Sequence, residues 1–191
     1  MKRRTILVML LAVVLTGCKD TAWNSVCHIH GVALEEDLEG RTAVLTPVMG
    51  RVAPAEAKII NGKFEMDVRG MGIAKLTQKN AGKGAFEELM VVIESGDLNV
   101  RVSYESSANG TPQNDSLQSW KELTTRVRGR LNALDGIAAF ARENGDSISA
   151  AMYANRKDSL YKDYVIRTHA MADGLGEGSL HDFLYYLYPA E

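Results

Sequence analysis

The hydrophobic pattern of this chain changes period once, near residue 114, and that change limits the folds open to it. Between Val26 and Tyr104 apolar residues alternate with polar ones or run in short blocks broken by turn residues; from Leu117 onward they recur at three- and four-residue steps. A period of two marks a strand with one buried face, and a period near 3.6 marks an amphipathic helix. Strands grouped first and helices grouped after predict an α+β protein, not alternating βαβ units. The expected division is an antiparallel β-sandwich-like domain over residues 26–106 and a helical hairpin or three-helix segment over residues 113–189.

Within the first half, Cys27-His28-Ile29-His30-Gly31-Val32 leads into the acidic turn Glu35 to Gly40, and Thr42 to Pro47 follows as a second strand. Asn61-Gly62 is a strong hairpin signal because both residues tolerate positive φ. Lys63-Phe64-Glu65-Met66-Asp67-Val68 leaves that turn in strict alternation, so Phe64, Met66 and Val68 are expected on one buried face. Ile73-Ala74-Lys75-Leu76 reads as a separate, weaker strand, Leu89 to Ile93 as a continuous apolar strand, and Leu98 to Tyr104 as a further alternating one. Tight turns between short strands imply antiparallel pairing throughout.

In the second half, Leu117, Trp120, Leu123, Val127, Leu131, Leu134 and Ala138 form one helical stripe, with Asp115 and Gln118 as its expected capping pair. Gly129 and Gly136 lie inside that helix, where each costs about 1 kcal/mol relative to Ala, so a bend or a close helix contact is expected there. A second helix over residues 147–172 would bury Ile148, Met152, Tyr153, Leu160, Tyr161, Tyr164, Val165 and Thr168. After Gly174, Gly176 and Gly178, Ser179 caps a short last helix with Leu180, Phe183, Leu184 and Leu187 on one face, stopped by Pro189.

The first eighteen residues carry a different signal. Lys2-Arg3-Arg4, an apolar run from Ile6 to Leu15, and Leu15-Thr16-Gly17-Cys18 have the three-part shape of a secretory leader, and the cysteine in that place resembles a bacterial lipobox. The apolar run is about half the roughly 20 residues a spanning helix needs. Residues 1–17 are thus expected as a signal peptide, Cys18 as the lipidated residue, and residues 18–25 as a polar tether. The address implied is the cell envelope, with a lipid anchor on the periplasmic side or at the outer membrane. Of 191 residues, 17 are then removed and 174 remain. Lys2, Arg3 and Arg4 go with the leader, so 19 basic face 24 acidic side chains and the net charge moves from −2 to −5. Nucleic acid is therefore not an expected partner, since phosphate binding calls for clustered positive charge. With Cys18 acylated, Cys27 has no disulfide partner, and no C-x-x-C occurs.

Three segments together carry a family resemblance: Asn61 to Met66, Val92 to Val100, and Gly110-Thr111-Pro112-Gln113-Asn114-Asp115-Ser116-Leu117-Gln118-Ser119-Trp120. They resemble the DUF4369 domain, found mostly at the N-terminus of thioredoxin-like lipoproteins of Bacteroidetes type. The resemblance implies the sheet domain, lipidation and an envelope address. In that family a thioredoxin fold with a C-x-x-C centre usually follows, about where this chain ends, so no catalytic residue carries over.

Candidate chemistry is sparse. His28 and His30 fall on the same face of a strand and could give two metal ligands, but no third ligand is visible nearby, because His169 and His181 lie in the helical half; the competing reading puts both on the solvent face with Ile29 buried. Cys27 is the candidate reactive thiol. Glu35 to Glu39 lacks the Asp-x-Asp-x-Asp-Gly spacing of a calcium loop and reads as a solvated turn. Gly174-x-Gly176-x-Gly178 lacks the context of a phosphate loop, and Ser179, His181 and Asp182 are too close together to form a triad. Tyr185, Tyr186 and Tyr188 could form an exposed edge for a protein contact. Asp20-Thr21-Ala22 is similar to the O-glycan acceptor pattern of Bacteroidetes-type envelope proteins, which makes Thr21 a candidate acceptor. The functional expectation is a non-enzymatic binding or assembly module without a cofactor, attached to the membrane by its N-terminal lipid and meeting an envelope protein partner. The alternative is an accessory of a thiol-redox, thioredoxin-like envelope system.

Overall fold

The change of period is realised as seven strands followed by helices. The computed structural model describes residues 21–80, 82 and 85–190; the expected signal peptide and Cys18 lie outside the described residues. The order is α1 (Thr21–Asn24), β1 (Val26–Ala33), β2 (Thr42–Val52), β3 (Ala55–Lys58), β4 (Lys63–Gln78), β5 (Leu89–Ile93), β6 (Gly96–Val102), β7 (Ser107–Asn109), α2 (Pro112–Glu143), α3 (Ser147–Leu175) and α4 (Ser179–Leu187). α1 falls in the expected tether, where Trp23 lies 4.7 Å below the Arg51 guanidinium. The acceptor reading at Thr21 concerns a side chain that lies outside what is described.

β4 organises the sheet. Its first part pairs antiparallel with β1 from Lys63 to Arg69, and its second with β2 from Gly70 to Gln78 and with β5 from Gly72 to Leu76. Two strands were expected here; one strand of 16 residues is found. The reason is Gly70, whose φ of +114° bends the strand without ending it, and where a Cβ would meet the Arg51 carbonyl oxygen at 2.0 Å. Only glycine lets β2 and β4 cross so closely. A second correction concerns direction: β1 and β6 pair in parallel, from Cys27 opposite Gly96 to Ala33 opposite Val102, so the sheet is mixed and not wholly antiparallel.

The sheet folds over one core. Cys27, Ile29 and Val68 from its β1 side and Leu45, Leu76 and Leu89 from its β2 side belong to a single buried cluster. A second cluster lies on the other face of β4 and β5, where Ile73 and Val92 meet Leu117 and Trp120 of α2, Ala172 of α3, and Leu180, Phe183 and Leu184 of α4. β5 is apolar at every position because Val91 and Ile93 face the sheet core while Val92 faces the helices. Burying each large aliphatic side chain in these clusters contributes about 2 kcal/mol.

α2 and α3 run antiparallel. Thr124 shares a hydrogen bond of 2.8 Å with the Tyr164 hydroxyl, and farther out Lys157 donates to Asp135 at 2.7 Å. The inner side of α3 follows expectation at Tyr164 and Thr168, which are buried, and differs elsewhere: Ile148, Met152 and Tyr161 are exposed, and Ala150 and Ala172 are buried in their place. Small residues allow the two helices to approach, so volume and not hydrophobicity selects the contact positions. Leu187 is also exposed, at 40%. Nothing lies within 4 Å of a Cβ built at Gly129 or Gly136, so the close contact expected there is absent among the described residues.

Candidate functional site

Strand alternation places Cys27, Ile29 and Gly31 of β1 inward and His28, His30 and Val32 outward. The register then decides which side chains flank them. His28 lies opposite Asp67 of β4 and Asp97 of β6, His30 opposite Glu65 and Asn99, and Val32 opposite Lys63 and Arg101. His28 Nδ1 is 2.7 Å from Asp67 Oδ1; His30 places Nε2 at 3.3 Å from Asp97 and Nδ1 at 3.7 Å from Glu65. The two imidazoles are thus each engaged by different carboxylates, about half exposed, and do not converge. No group of three or more His, Cys, Asp or Glu with metal-holding geometry occurs among the described residues.

Beside this ladder the face hollows into a groove of about 540 Å³, lined by His30, Lys63, Glu65, Asn99, Arg101 and Asn109 among others. Lys63 and Arg101 make no ion pair with another described residue, so both cations are free to meet a ligand. Its floor is shaped by Gly31, across which the Phe64 ring lies. The arrangement offers charged donors, amides and one half-exposed imidazole on a rigid ladder. It suits hydrogen bonding to a polar, anionic group.

The other sequence candidates resolve as structural parts. Cys27 is fully buried, and burial pushes its thiol up to about 11, against the lowering effect of a hydrogen bond with the Glu94 backbone. At neutral pH it is a protonated thiol out of reach of solvent, opposite to what a reactive cysteine needs. The acidic turn acts as a clamp. Leu38 is buried as a plug, and the Glu39 carboxylate accepts hydrogen bonds from the Asn61 and Gly62 amides at 3.0 Å each, which holds its pKa below the usual range.

No protein-family model matches this chain, and neither a curated protein nor a solved structure matches it. The architecture has to be read from its own residues. Two of these were missed in the sequence. Asn114, buried at 1% exposure, donates to the Val92 carbonyl and accepts from the Val92 amide, so it pairs with β5 as a neighbouring strand would. Gln113 donates its backbone and side-chain N–H groups to Glu94, and its Oε1 accepts from the Leu180 amide at 2.9 Å. The last helix is therefore capped by a side chain from α2, with Gly178 at its N-cap in place of the expected Ser179. The start of α2 is also displaced: Thr111 is the N-cap, and Asp115 reaches back to the Gly110 amide at 2.9 Å.

The histidines of the helical half belong to the contact between α3 and α4. His169 stacks on Tyr185 at 4.5 Å and its Nε2 donates to the Tyr188 carbonyl; His181 packs on the same Tyr185 ring at 4.7 Å and pairs with Asp182. Tyr185 donates to Asp173, and Tyr164 donates to the Tyr188 hydroxyl. Tyr188 meets Trp120 and Tyr164 edge to face, and burial raises its phenol pKa well above the ordinary value. Of the three tyrosines expected as an exposed edge, Tyr186 alone is exposed, at 73%; the other two fasten α4 to α3.

Proposed function

We propose that this protein is a lipid-anchored envelope protein of DUF4369 type, acting as a non-enzymatic binding or assembly module. The folded-over sheet is read as a β-sandwich-like domain, α2 with α3 as a helical hairpin, and Cys18 as the anchored residue. The observation that carries the reading is the open groove beside β1, where Lys63 and Arg101 are left unpaired while His28 and His30 are engaged by carboxylates. Such a surface favours a polar partner with an anionic group, here an envelope protein, over a reaction needing convergent acid and base. The thiol-redox accessory role loses its chemical basis in this chain, since burial disfavours the Cys27 thiolate.

Two measurements test the proposal. Labelled fatty acid is expected on the wild-type chain and not on Cys18→Ala. Cross-linking in intact membranes is expected to recover an envelope partner with wild type and to lose it with the Lys63→Glu/Arg101→Glu double variant at unchanged thermal midpoint. Recovery that the double variant leaves intact removes the groove from the proposal, and an unlabelled wild type removes the anchor.

A further inference from the structure

The 32 residues of α2 span about 48 Å, and only its beginning, through Leu117 and Trp120, joins the cluster on the sheet. Farther out, Val127, Ala138 and Ala141 are its buried positions. The opposite side of that stretch is a stripe at helical spacing made of Arg126, Gly129, Ala133, Gly136, Ile137 and Phe140. All six are exposed, Ile137 at 44% and Phe140 at 68%. A solvent-facing helix surface is ordinarily charged, with strong helix formers. Here it has two large apolar side chains beside two open glycines, with nothing within 4 Å of either would-be Cβ. Arg126 has no ion-pair partner among the described residues.

We infer that this face docks a second copy of the chain, the two α2 helices packing antiparallel about a two-fold axis at Ala133. The symmetry places residues equidistant from Ala133 opposite each other. Ile137, four residues on, then faces Gly129 of the other copy, four residues back. Phe140, seven on, faces Arg126, seven back. A large side chain meets a glycine gap, and a guanidinium meets an aromatic ring, each twice. Glu143, one turn beyond Phe140, brings a carboxylate to the same arginine. This stripe is complementary to itself, which is why a second copy fits it better than an unrelated surface. The stretch from Arg126 to Phe140 is roughly 21 Å long on a helix about 10 Å wide, a patch of roughly 200 Å², well below the roughly 800 Å² per partner of a stable interface. The dimer is therefore weak and reversible. The inference rests on α2 alone and is independent of the groove.

The test uses the full chain purified from membranes in detergent. Under mild oxidation Ala133→Cys is expected to give a disulfide-linked dimer, while wild type, which keeps both native cysteines, and Asn155→Cys on the outer face of α3 do not. Sedimentation is expected to show concentration-dependent dimers of wild type and at least a tenfold weaker association for Phe140→Glu, with its thermal midpoint unchanged as befits an exposed position. Ala133→Cys pairing no better than Asn155→Cys, or wild type remaining monomeric at every concentration, would each overturn the inference.

Discussion

Gly31 is glycine because Phe64, its direct cross-strand neighbour, lays its ring over the backbone: a Cβ there would come within 2.1 Å of the ring. The two residues fill one volume, which only one side chain can occupy. Gly31→Val is expected to cost about 1–3 kcal/mol through overpacking, read as a lower denaturant midpoint. Combining it with Phe64→Leu should cost less than the two separate losses together, because the smaller side chain vacates the contested space. Glu39 acts through charge. Its carboxylate holds the Asn61 and Gly62 amides, and its folded pKa lies below the unfolded one. A depressed carboxylate stabilises above its unfolded pKa, and that contribution disappears as pH falls through the folded value. Glu39→Gln is therefore expected to lower the unfolding midpoint at about pH 7 and to differ less from wild type at about pH 3. Equal differences at both pH values would show that the amide substitution acts through shape alone.

At the scale of elements, the junction between sheet and helices depends on the first turn of α2. Asn114 completes the hydrogen bonding of Val92 on β5 and also donates to Thr111 Oγ1 at 2.7 Å. Asn114→Leu leaves the amide and carbonyl of a fully buried residue without partners, an expected loss of about 2–4 kcal/mol in equilibrium unfolding. A variant as stable as wild type would mean that β5 finds its partners elsewhere. The apolar part of this junction, Leu117 and Trp120 against the sheet, was legible in the sequence; the Asn114 part was not, because an asparagine beside a helix start reads as a local cap, and nothing local reveals a strand edge brought beside it. What repeats along the chain was legible. Phe64, Met66 and Val68 are buried as alternation requires, Leu117, Trp120, Val127 and Ala138 follow the helical period, and His28 and His30 share a face. What depends on distant pairing was not. The parallel contact of β1 with β6 leaves no mark in either strand, and the acids beside the two histidines follow from register alone. Lys63–Val68 and Ile73–Leu76 read as two strands, whereas Gly70 lets a single β4 bend past β2. The inner side of α3 was misread because Ile148 and Met152 are more hydrophobic than the Ala150 and Ala172 that close packing selects.

The whole molecule is unevenly braced. β4 is paired along its whole length, on both sides from Gly72 to Leu76, and contributes to two buried clusters, whereas α3 packs mainly on α2 and α4, and the outer halves of α2 and α3 have only each other. Their buried positions there, Val127, Ala138, Ala141 and Ala150, are small, so each supplies less apolar burial than the leucines and phenylalanine of α4. Local opening free energy follows buried apolar contact, and the arm should open without unfolding the sheet. Hydrogen exchange is expected to show amides of residues 130–142 and 150–160 exchanging well before those of 64–76 in dilute protein. If the outer face of α2 docks a second copy, protection of 130–142 should rise with protein concentration while that of 64–76 stays fixed, because only the associated state is favoured by mass action. Equal protection of arm and sheet at the lowest concentration would instead mean that α2 and α3 belong to the same cooperative unit as β4, held by the half-buried Thr124–Tyr164 contact and by a Lys157–Asp135 pair firmer than exposed ion pairs ordinarily are.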